Sequence, residues 1–150
     1  MSRAYIGLGA NIGDREGTIR RALQLLRARV HVVAVSSILE TDPWGYVDQP
    51  PFLNAAAAVE TDLTPRELLE GLLEIERELG RTRRGPQFGP RTIDLDLLLY
   101  DEDRITEPGL TIPHPRLHER RFALEPLVEL DPELTVPGRG TVASLLSALD

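Results

Sequence analysis

Two aspartates alternate with apolar residues in the run RTIDLDLLLY at residues 91–100, and this alternation constrains the chain more than any other feature. Successive side chains of a β-strand project to opposite faces, so Asp94 and Asp96 share one face, roughly 7 Å apart along the chain. The apolar residues that alternate with them are predicted to face the core: Ile93, Leu95, Leu97 and Leu99. The run therefore predicts a strand that is buried on one face and carries two carboxylates on the other.

The paired carboxylates predict a site for a hard cation. Like charges this close repel each other, and aspartate is a poor strand former, so the pair needs a positive partner. Mg²⁺ suits it, because this ion accepts one or two carboxylates and completes its octahedral shell with water and phosphate oxygens. A solubility device on an edge strand, or a pair of ordinary salt bridges, is the alternative interpretation.

The apolar periodicity of the rest of the chain predicts the elements around this strand. Further strands are predicted at residues 3–9, 30–40 and 53–63, and helices at 14–29 and 64–80. The second helix has the stronger start, since Thr64 and Glu67 form a capping box around a proline at the first helical position. The order β-α-β-β-α-β then predicts an α+β, ferredoxin-like fold, with an antiparallel sheet covered by helices on one side.

The remaining segments predict loops and additional C-terminal helices. Residues 41–51 and 81–91 are punctuated by proline and glycine and are expected to be long active-site loops. A helix broken near Pro126 is expected within residues 116–130, because proline cannot supply the backbone donor that a helix interior requires. A short closing helix is expected at residues 141–149.

Composition narrows the chemistry and the partners. The 150 residues are expected to form a single domain, and the absence of cysteine excludes disulfides, thiolate metal sites and cysteine nucleophiles. All 17 basic residues are arginines, so guanidinium is the only permanent side-chain cation for binding phosphate. The net charge of −7 predicts no nucleic-acid or membrane partner. Without a leader-like N-terminus or a long apolar window, the chain is expected to be cytoplasmic, and it is expected to act as a monomer.

Basic segments lie on both sides of the acidic strand. The segment before the strand has a charge of +4 and no acid, its arginines being Arg81, Arg83, Arg84 and Arg91. The segment at 113–122 places His114 between two prolines, which fix its backbone. Arginines beside a metal recur at polyphosphate sites, although a solvated run of charge gives the same pattern.

Aromatic residues near the first long loop suggest a second kind of ligand. Trp44, Phe52 and Asn54 flank this loop, and with Phe122 they could form a slot for a flat heterocycle whose edge is read by asparagine and backbone groups. The alternative is that the phenylalanines belong to the core.

Taken together, four stretches resemble the 6-hydroxymethyl-7,8-dihydropterin pyrophosphokinase family: YIGLGAN at 5–11, QPPFLN at 49–54, GPRTIDLDL at 89–97 and TIPHPRLHERRF at 111–122. They occur in the order expected for the family, and GPRTIDLD followed by IPHPR is far more specific than the aspartate pair alone. The resemblance implies the ferredoxin-like α+β fold. It also implies transfer of pyrophosphate from ATP to the hydroxymethyl group of the reduced pterin, with release of AMP, in folate biosynthesis.

The resemblance further implies roles for individual residues. Asp94 and Asp96 match ligands of two Mg²⁺ ions that bridge the ATP phosphates, and Arg81 and Arg91 are expected to act with them in catalysis. The matches on the ATP side are Glu76, Arg81, Arg83, Arg91, His114 and Arg120. On the pterin side the matches are Phe52 and Phe122, which stack the ring, Asn54, which hydrogen-bonds its edge, and backbone groups near Thr41 and Trp44.

Two other functions fit parts of the sequence. Another two-metal transferase, such as a nucleotidyltransferase, would use the same carboxylate pair but would release pyrophosphate instead of AMP. It would leave the set formed by Phe52, Asn54 and Phe122 unexplained. A non-catalytic small-molecule sensor on the same fold would have no need for strand carboxylates beside a basic segment.

Overall fold

The computed structural model describes residues 1–41, 51–80 and 93–150. The first part of the chain forms the elements of the main sheet and its first helical layer: β1 Ser2–Ala10, α1 Arg15–Arg27, β2 His31–Val35, β3 Leu39–Thr41, β4 Phe52–Thr61, α2 Pro65–Glu78 and β5 Asp94–Tyr100. The C-terminal part forms β6 Ile105–Glu107, β7 Leu110–Ile112, a 3₁₀ turn at Leu117–Glu119, α3 Arg121–Leu130, β8 Thr135–Val136, β9 Gly140–Thr141 and α4 Val142–Ser147. None of the helices in these ranges is long and apolar enough to cross a membrane.

The main sheet is antiparallel, and within the described residues its order is β2-β4-β1-β5, with β3 also paired to β4. β2 and β3 follow each other along β4, so the single strand predicted at 30–40 is in fact two. The ladder is interrupted between β2 and β3, because the three residues 36–38 lie opposite only two residues of β4, 55 and 56. The hydroxyl of Ser36 accepts a hydrogen bond from the Ala56 N–H at 2.9 Å and bridges the gap. Counted as one strand, β2 and β3 complete the predicted ferredoxin-like strand order, which confirms the α+β fold.

Helices cover both faces of the sheet, whereas the sequence predicted them on one side. On the first face, α1 and α2 bury the main core, which includes Ile19, Leu26, Leu68, Leu72 and Ile75. On the second face, α3 and α4 bury a smaller core against Tyr5, Ala56, Ala58, Leu98 and Leu99. Because β1, β4 and β5 carry apolar residues on this face as well, it requires its own cover, and the small alanines let α3 approach closely.

A bulge in the pairing of β1 with β5 changes which way the leucines of β5 point. Tyr5 pairs with Leu99 and Ile6 pairs with Leu97, so Leu98 is the extra residue. Leu95 and Leu97 belong to the main core, but Leu98 and Leu99 both belong to the second core. The prediction that Leu99 shares a face with Leu95 and Leu97 is therefore wrong, because one inserted residue reverses the alternation beyond it. Asp94 and Asp96 precede the bulge and keep their common face.

Local signals placed most helix ends correctly. The Thr64 hydroxyl accepts from the Glu67 N–H at 3.1 Å, and the Glu67 carboxylate accepts from the Thr64 N–H at 2.9 Å, which confirms the predicted capping box. The closing helix also forms, with Thr141 as its N-cap. The break predicted near Pro126 is wrong, since α3 runs through it. Pro126 is buried on this helix between Leu124 and Leu127, and that packing holds the helix together despite the missing donor.

Candidate active site

Two glycines of β1 form the floor of the site on the second face of the sheet. Gly9 lies between Asn54 of β4 and Asp94 of β5, and Gly7 lies between Ala56 and Asp96. Directly paired residues of antiparallel strands project to the same face, so the register brings an amide and two carboxylates onto one surface. Neighbouring side chains lie close over both glycines, because a Cβ atom would come within 3.3 Å of Leu98 Cδ1 at Gly7 and within 2.8 Å of Asn54 Oδ1 at Gly9.

Asp94 and Asp96 are partly buried side chains on this face of β5. The Asp96 carboxylate has a cationic neighbour, since the Nη1 atom of Arg120 lies 4.0 Å from Oδ2. On its other side, the Nε2 atom of His114 lies 4.0 Å from Oδ1. The structure thus brings the predicted metal ligands together with two of the predicted phosphate ligands.

This donor set fits a hard cation that is shared with a phosphate. Among the described residues, no group of three or more histidine, cysteine, aspartate and glutamate side chains could hold a metal alone. A site of two carboxylates is too sparse for a structural zinc ion, which requires four protein ligands. It fits Mg²⁺, which is commonly held by one or two carboxylates together with substrate phosphates.

His114 is held as a neutral donor beside Asp96. Burial, followed by the positive charges of Arg120 and Arg116, lowers the pKa of His114 from 6.5 to about 4. Its Nδ1 atom accepts a hydrogen bond from the Arg116 N–H at 3.2 Å, and its backbone N–H donates to the Leu98 carbonyl at 2.9 Å. Near neutral pH the ring proton is therefore on Nε2, the atom nearer Asp96, and the contact between them is not an ion pair.

Arg120 and Phe122 come from the N-terminal end of α3, directly after the 3₁₀ turn. The Arg120 guanidinium lies over the Phe122 ring, with 5.4 Å between its Cζ atom and the ring centroid, and its side chain is only 14% exposed. Phe122 also packs against the second core. These contacts fix a cation and an aromatic ring together at one end of α3.

Asn54 and Phe52 are next to each other on the same face of β4. Asn54 is buried, and a Cβ atom at Gly9 would lie 2.8 Å from its Oδ1 atom and 3.7 Å from Cδ1 of Phe52. Both side chains therefore lie across Gly9. Asn54, which is predicted to hydrogen-bond the ring edge, and Phe52, which is predicted to stack on the ring, therefore lie together at the end of the patch opposite Asp96.

Glu76, which is expected to line the nucleotide side of the site, is a residue of α2 that contacts the backbone of β5. It is buried, and its carboxylate accepts a hydrogen bond from the backbone N–H of Leu95 at 2.8 Å. Leu95 separates Asp94 from Asp96, so Glu76 holds the backbone between the two carboxylates. It does so from α2, which packs on the first face of the sheet.

A cavity of about 290 Å³ extends from Asp96 along β5 toward the β6–β7 hairpin. Asp96 and His114 line its polar end, and the rest is lined by Leu69, Leu95, Leu97, Gly109, Leu110, Thr111 and Pro115. Arg66 of α2 holds the hairpin turn, with Nη2 3.1 Å from Glu107 Oε1 and 2.9 Å from the Pro108 carbonyl oxygen. This wall was not predicted from the sequence, in which its only signal is the TIPHPR stretch that begins at Thr111.

The roles predicted for the individual site residues all stay predictions. Trp44, Arg81, Arg83 and Arg91 lie outside the described residues. Thr41 ends β3, where its backbone pairs with Phe52.

Comparisons with known proteins agree with the geometry. Residues 5–132 match the family model for 7,8-dihydro-6-hydroxymethylpterin-pyrophosphokinase (HPPK). The 2-amino-4-hydroxy-6-hydroxymethyldihydropteridine pyrophosphokinase of Bacillus subtilis (strain 168) is 55% identical over 129 residues, which are 85% of this chain and 77% of the relative. The enzyme of that name from Methylorubrum extorquens is 46% identical over 152 residues, covering 100% of this chain and 95% of the relative.

A solved structure supports the fold independently. The crystal structure of wild-type Plasmodium falciparum HPPK-DHPS with SDX-DHP superposes with a TM-score of 0.73 at 15% identity, covering 99% of this chain and 43% of that one. At this identity the likeness shows the fold alone. By the family match and the identity to its relatives, the chain belongs to the 7,8-dihydro-6-hydroxymethylpterin-pyrophosphokinase family, the ATP-using pyrophosphokinases of folate biosynthesis.

Proposed function

We propose that this chain transfers the pyrophosphoryl group of ATP to the hydroxymethyl oxygen of 6-hydroxymethyl-7,8-dihydropterin and releases AMP, at the patch floored by Gly7 and Gly9. The observation that carries the proposal is the register across the sheet. It places Asn54, Gly9 and Asp94 in one row. The amide expected to bind the edge of a heterocycle and a carboxylate expected to bind a metal thus lie on either side of a glycine, on one face of the sheet.

We assign Phe52, Asn54 and Phe122 to binding of the pterin, as the family resemblance implies. A reduced pterin is flat and uncharged, with donors and acceptors along its edge. The rings of Phe52 and Phe122 offer stacking surfaces, and the Asn54 amide offers both a donor and an acceptor. Because Asn54 is buried, its hydrogen bonds to a ligand would be shielded from water and would discriminate strongly between ring edges.

The ATP end is formed by the cavity beside β5. Its polar end, at Asp96 and His114, suits the phosphates, and its leucine-lined part suits the adenine ring. The Nε2–H of neutral His114 can donate to a phosphate oxygen, and Arg120 adds a permanent positive charge on the other side of Asp96. Arg81, Arg83 and Arg91 are proposed to complete these phosphate contacts.

Asp94 and Asp96 would hold the two Mg²⁺ ions expected for the family, which supply neutralisation of the phosphate charge when bound. Glu76 keeps the two carboxylates in place through the Leu95 N–H. No described side chain is placed as a general base at the pterin end. The contribution of the protein is therefore positioning and electrostatic stabilisation, as in other phosphoryl transfers.

A product assay tests the proposal directly. Purified protein is incubated with ATP, Mg²⁺ and the reduced hydroxymethylpterin, and AMP, ADP and pyrophosphate are separated. AMP formed in equal amount with pterin diphosphate is expected. Release of pyrophosphate would instead indicate a nucleotidyltransferase, and ADP would indicate transfer of a single phosphoryl group. Family membership favours the first outcome over the nucleotidyltransferase and over the non-catalytic sensor.

A further inference from the structure

Arg15 connects the two strand ends on either side of residues 41–50. It is the first residue of α1, and its Nη1 atom donates a hydrogen bond to the carbonyl oxygen of Pro51 at 2.7 Å. Its Nη2 atom lies 3.6 Å from Oε2 of Glu40. Glu40 belongs to β3, and Pro51 immediately precedes β4. One guanidinium therefore contacts the chain just before and just after this segment.

The position of Arg15 is unfavourable for the helix that carries it. The N-terminus of an α-helix has a partial positive charge, which favours acidic residues in the first turn and disfavours a cation. Glu16 in the same turn satisfies that preference and pairs with Arg20. The side chain of Arg15 is also only 28% exposed, because it packs against the ends of β3 and β4. Arg15 therefore stabilises the pairing of β3 with β4 and does not stabilise α1.

The contacts of Arg15 act on the residues of the pterin end. The Pro51 carbonyl belongs to the peptide plane that joins Pro51 to Phe52, so a hydrogen bond to that oxygen fixes the orientation in which β4 begins. Glu40 is paired with Leu53, between Phe52 and Asn54. Arg15 therefore restrains both strands where these two side chains are presented.

We propose that Arg15 is a positioning residue for the pterin substrate, acting through Phe52 and Asn54. This inference rests on the proposed function. It involves no contact of Arg15 with a substrate, because α1 packs on the first face of the sheet and the patch is on the second. The effect of Arg15 is expected on pterin binding and not on ATP binding, since the cavity beside β5 does not include Arg15, Glu40 or Pro51.

The test compares Arg15→Met and Arg15→Lys by steady-state kinetics with each substrate varied in turn. Arg15→Met is expected to raise the KM for the pterin on the order of fivefold to tenfold, because only part of the free energy of the lost intramolecular hydrogen bond is felt by the substrate, and to change the KM for ATP by less than about twofold. Arg15→Lys should recover part of the loss, because an ammonium can replace one of the two contacts. Arg20→Met removes a neighbouring exposed arginine of α1 and should leave both KM values unchanged.

Two outcomes would overturn the inference. An unchanged pterin KM in Arg15→Met, with only a lower melting temperature, would make Arg15 a residue of stability alone. An equal rise in both KM values would mean a general loss of structure. If Arg15→Met does not fold, Glu40→Gln, which removes only the ion pair, is measured instead. The inference then requires that Glu40→Gln raise the pterin KM by less than is expected for Arg15→Met and leave the ATP KM unchanged. Failure of the proposed function is separate, because the wild-type protein would then form no AMP in the presence of the pterin.

Discussion

Gly9 of β1 pairs directly with Asn54 of β4, and a Cβ atom at Gly9 would lie 2.8 Å from the Asn54 Oδ1 atom. Real Cβ atoms do not approach an oxygen this closely, so any side chain at Gly9 would displace the amide. The glycine in YIGLGAN is needed here because a neighbouring side chain occupies its space. The position of Asn54 thus depends on a residue of another strand.

Gly9→Ala is therefore expected to weaken pterin binding by roughly tenfold, because the displaced Asn54 amide could no longer reach the ring edge. Isothermal titration with the pterin and a non-hydrolysable ATP analogue measures the loss. ATP binding should change little, since neither Gly9 nor Asn54 lines the cavity beside β5. Unchanged pterin affinity would mean that Asn54 does not read the ring.

Gly71→Ala is the matched control and carries a prediction of its own. Gly71 lies inside α2, and an added Cβ would come no closer than 3.8 Å to the Arg29 side chain, an ordinary contact. Replacing a helical glycine by alanine reduces the entropy lost on folding, so the free energy of unfolding should rise by about 0.5–1 kcal/mol. Activity should not change. A fall in stability on chemical denaturation would show that the methyl group is not accommodated.

The sequence predicted the elements that depend on local signals. The Thr64 capping box and the apolar stripe of α1 are both properties of a few neighbouring residues, and both formed as expected. The direction of Leu99 could not be predicted in this way. It depends on the bulge opposite Tyr5 and Ile6, and these residues reach β5 only when the sheet forms.

The same distinction applies to the candidate site. Asp94 and Asp96 could be recognised because alternation along one strand places them together. The contact between Glu76 and the Leu95 N–H could not, because nothing local marks a buried carboxylate as the acceptor for a particular backbone group. The contacts of Arg15 could not be predicted either, because its partners lie on other elements and its own segment resembles an ordinary helix start.

Asp94→Asn and Asp96→Asn are each expected to lower kcat by about 100-fold or more, because each removes a proposed Mg²⁺ ligand with little change in volume. Both side chains are partly exposed on the sheet face, so the fold should persist. Activity is measured alongside thermal unfolding. Near wild-type turnover in both variants would refute the metal assignment, whereas inactivity with a collapsed melting transition would point to misfolding.

Phe122→Ala should weaken pterin binding more than ATP binding, because a stacking surface is lost for one ligand only. The ring also packs against the second core and beneath Arg120, so a moderate loss of stability is expected as well. Separate calorimetric titrations of the two ligands provide the measurement, and Phe122→Leu, which keeps apolar volume without the ring, is the control. Equal losses of affinity for both ligands would mean that Phe122 supports the fold and does not stack the pterin.

His114 should make the stability of the metal-free protein depend on pH below neutrality. Its pKa is about 4 in the folded protein against 6.5 in a free chain, because burial and the charges of Arg120 and Arg116 disfavour the imidazolium. The unfolded chain therefore takes up the proton first as pH falls. The stability associated with neutral His114 is complete above pH 6.5 and is lost as pH falls from 6.5 toward 4.

Comparison with His114→Asn isolates this contribution from that of the carboxylates. Asparagine can still accept the hydrogen bond from the Arg116 N–H but does not titrate. Urea denaturation between pH 7 and pH 4, with a chelator present, gives the free energy of unfolding of both proteins. The stability of the wild type relative to His114→Asn should fall over this range, by up to about 3 kcal/mol if the full shift is expressed. A difference that is constant with pH would mean that His114 titrates normally, and the neutral donor assigned to Nε2 would then be wrong.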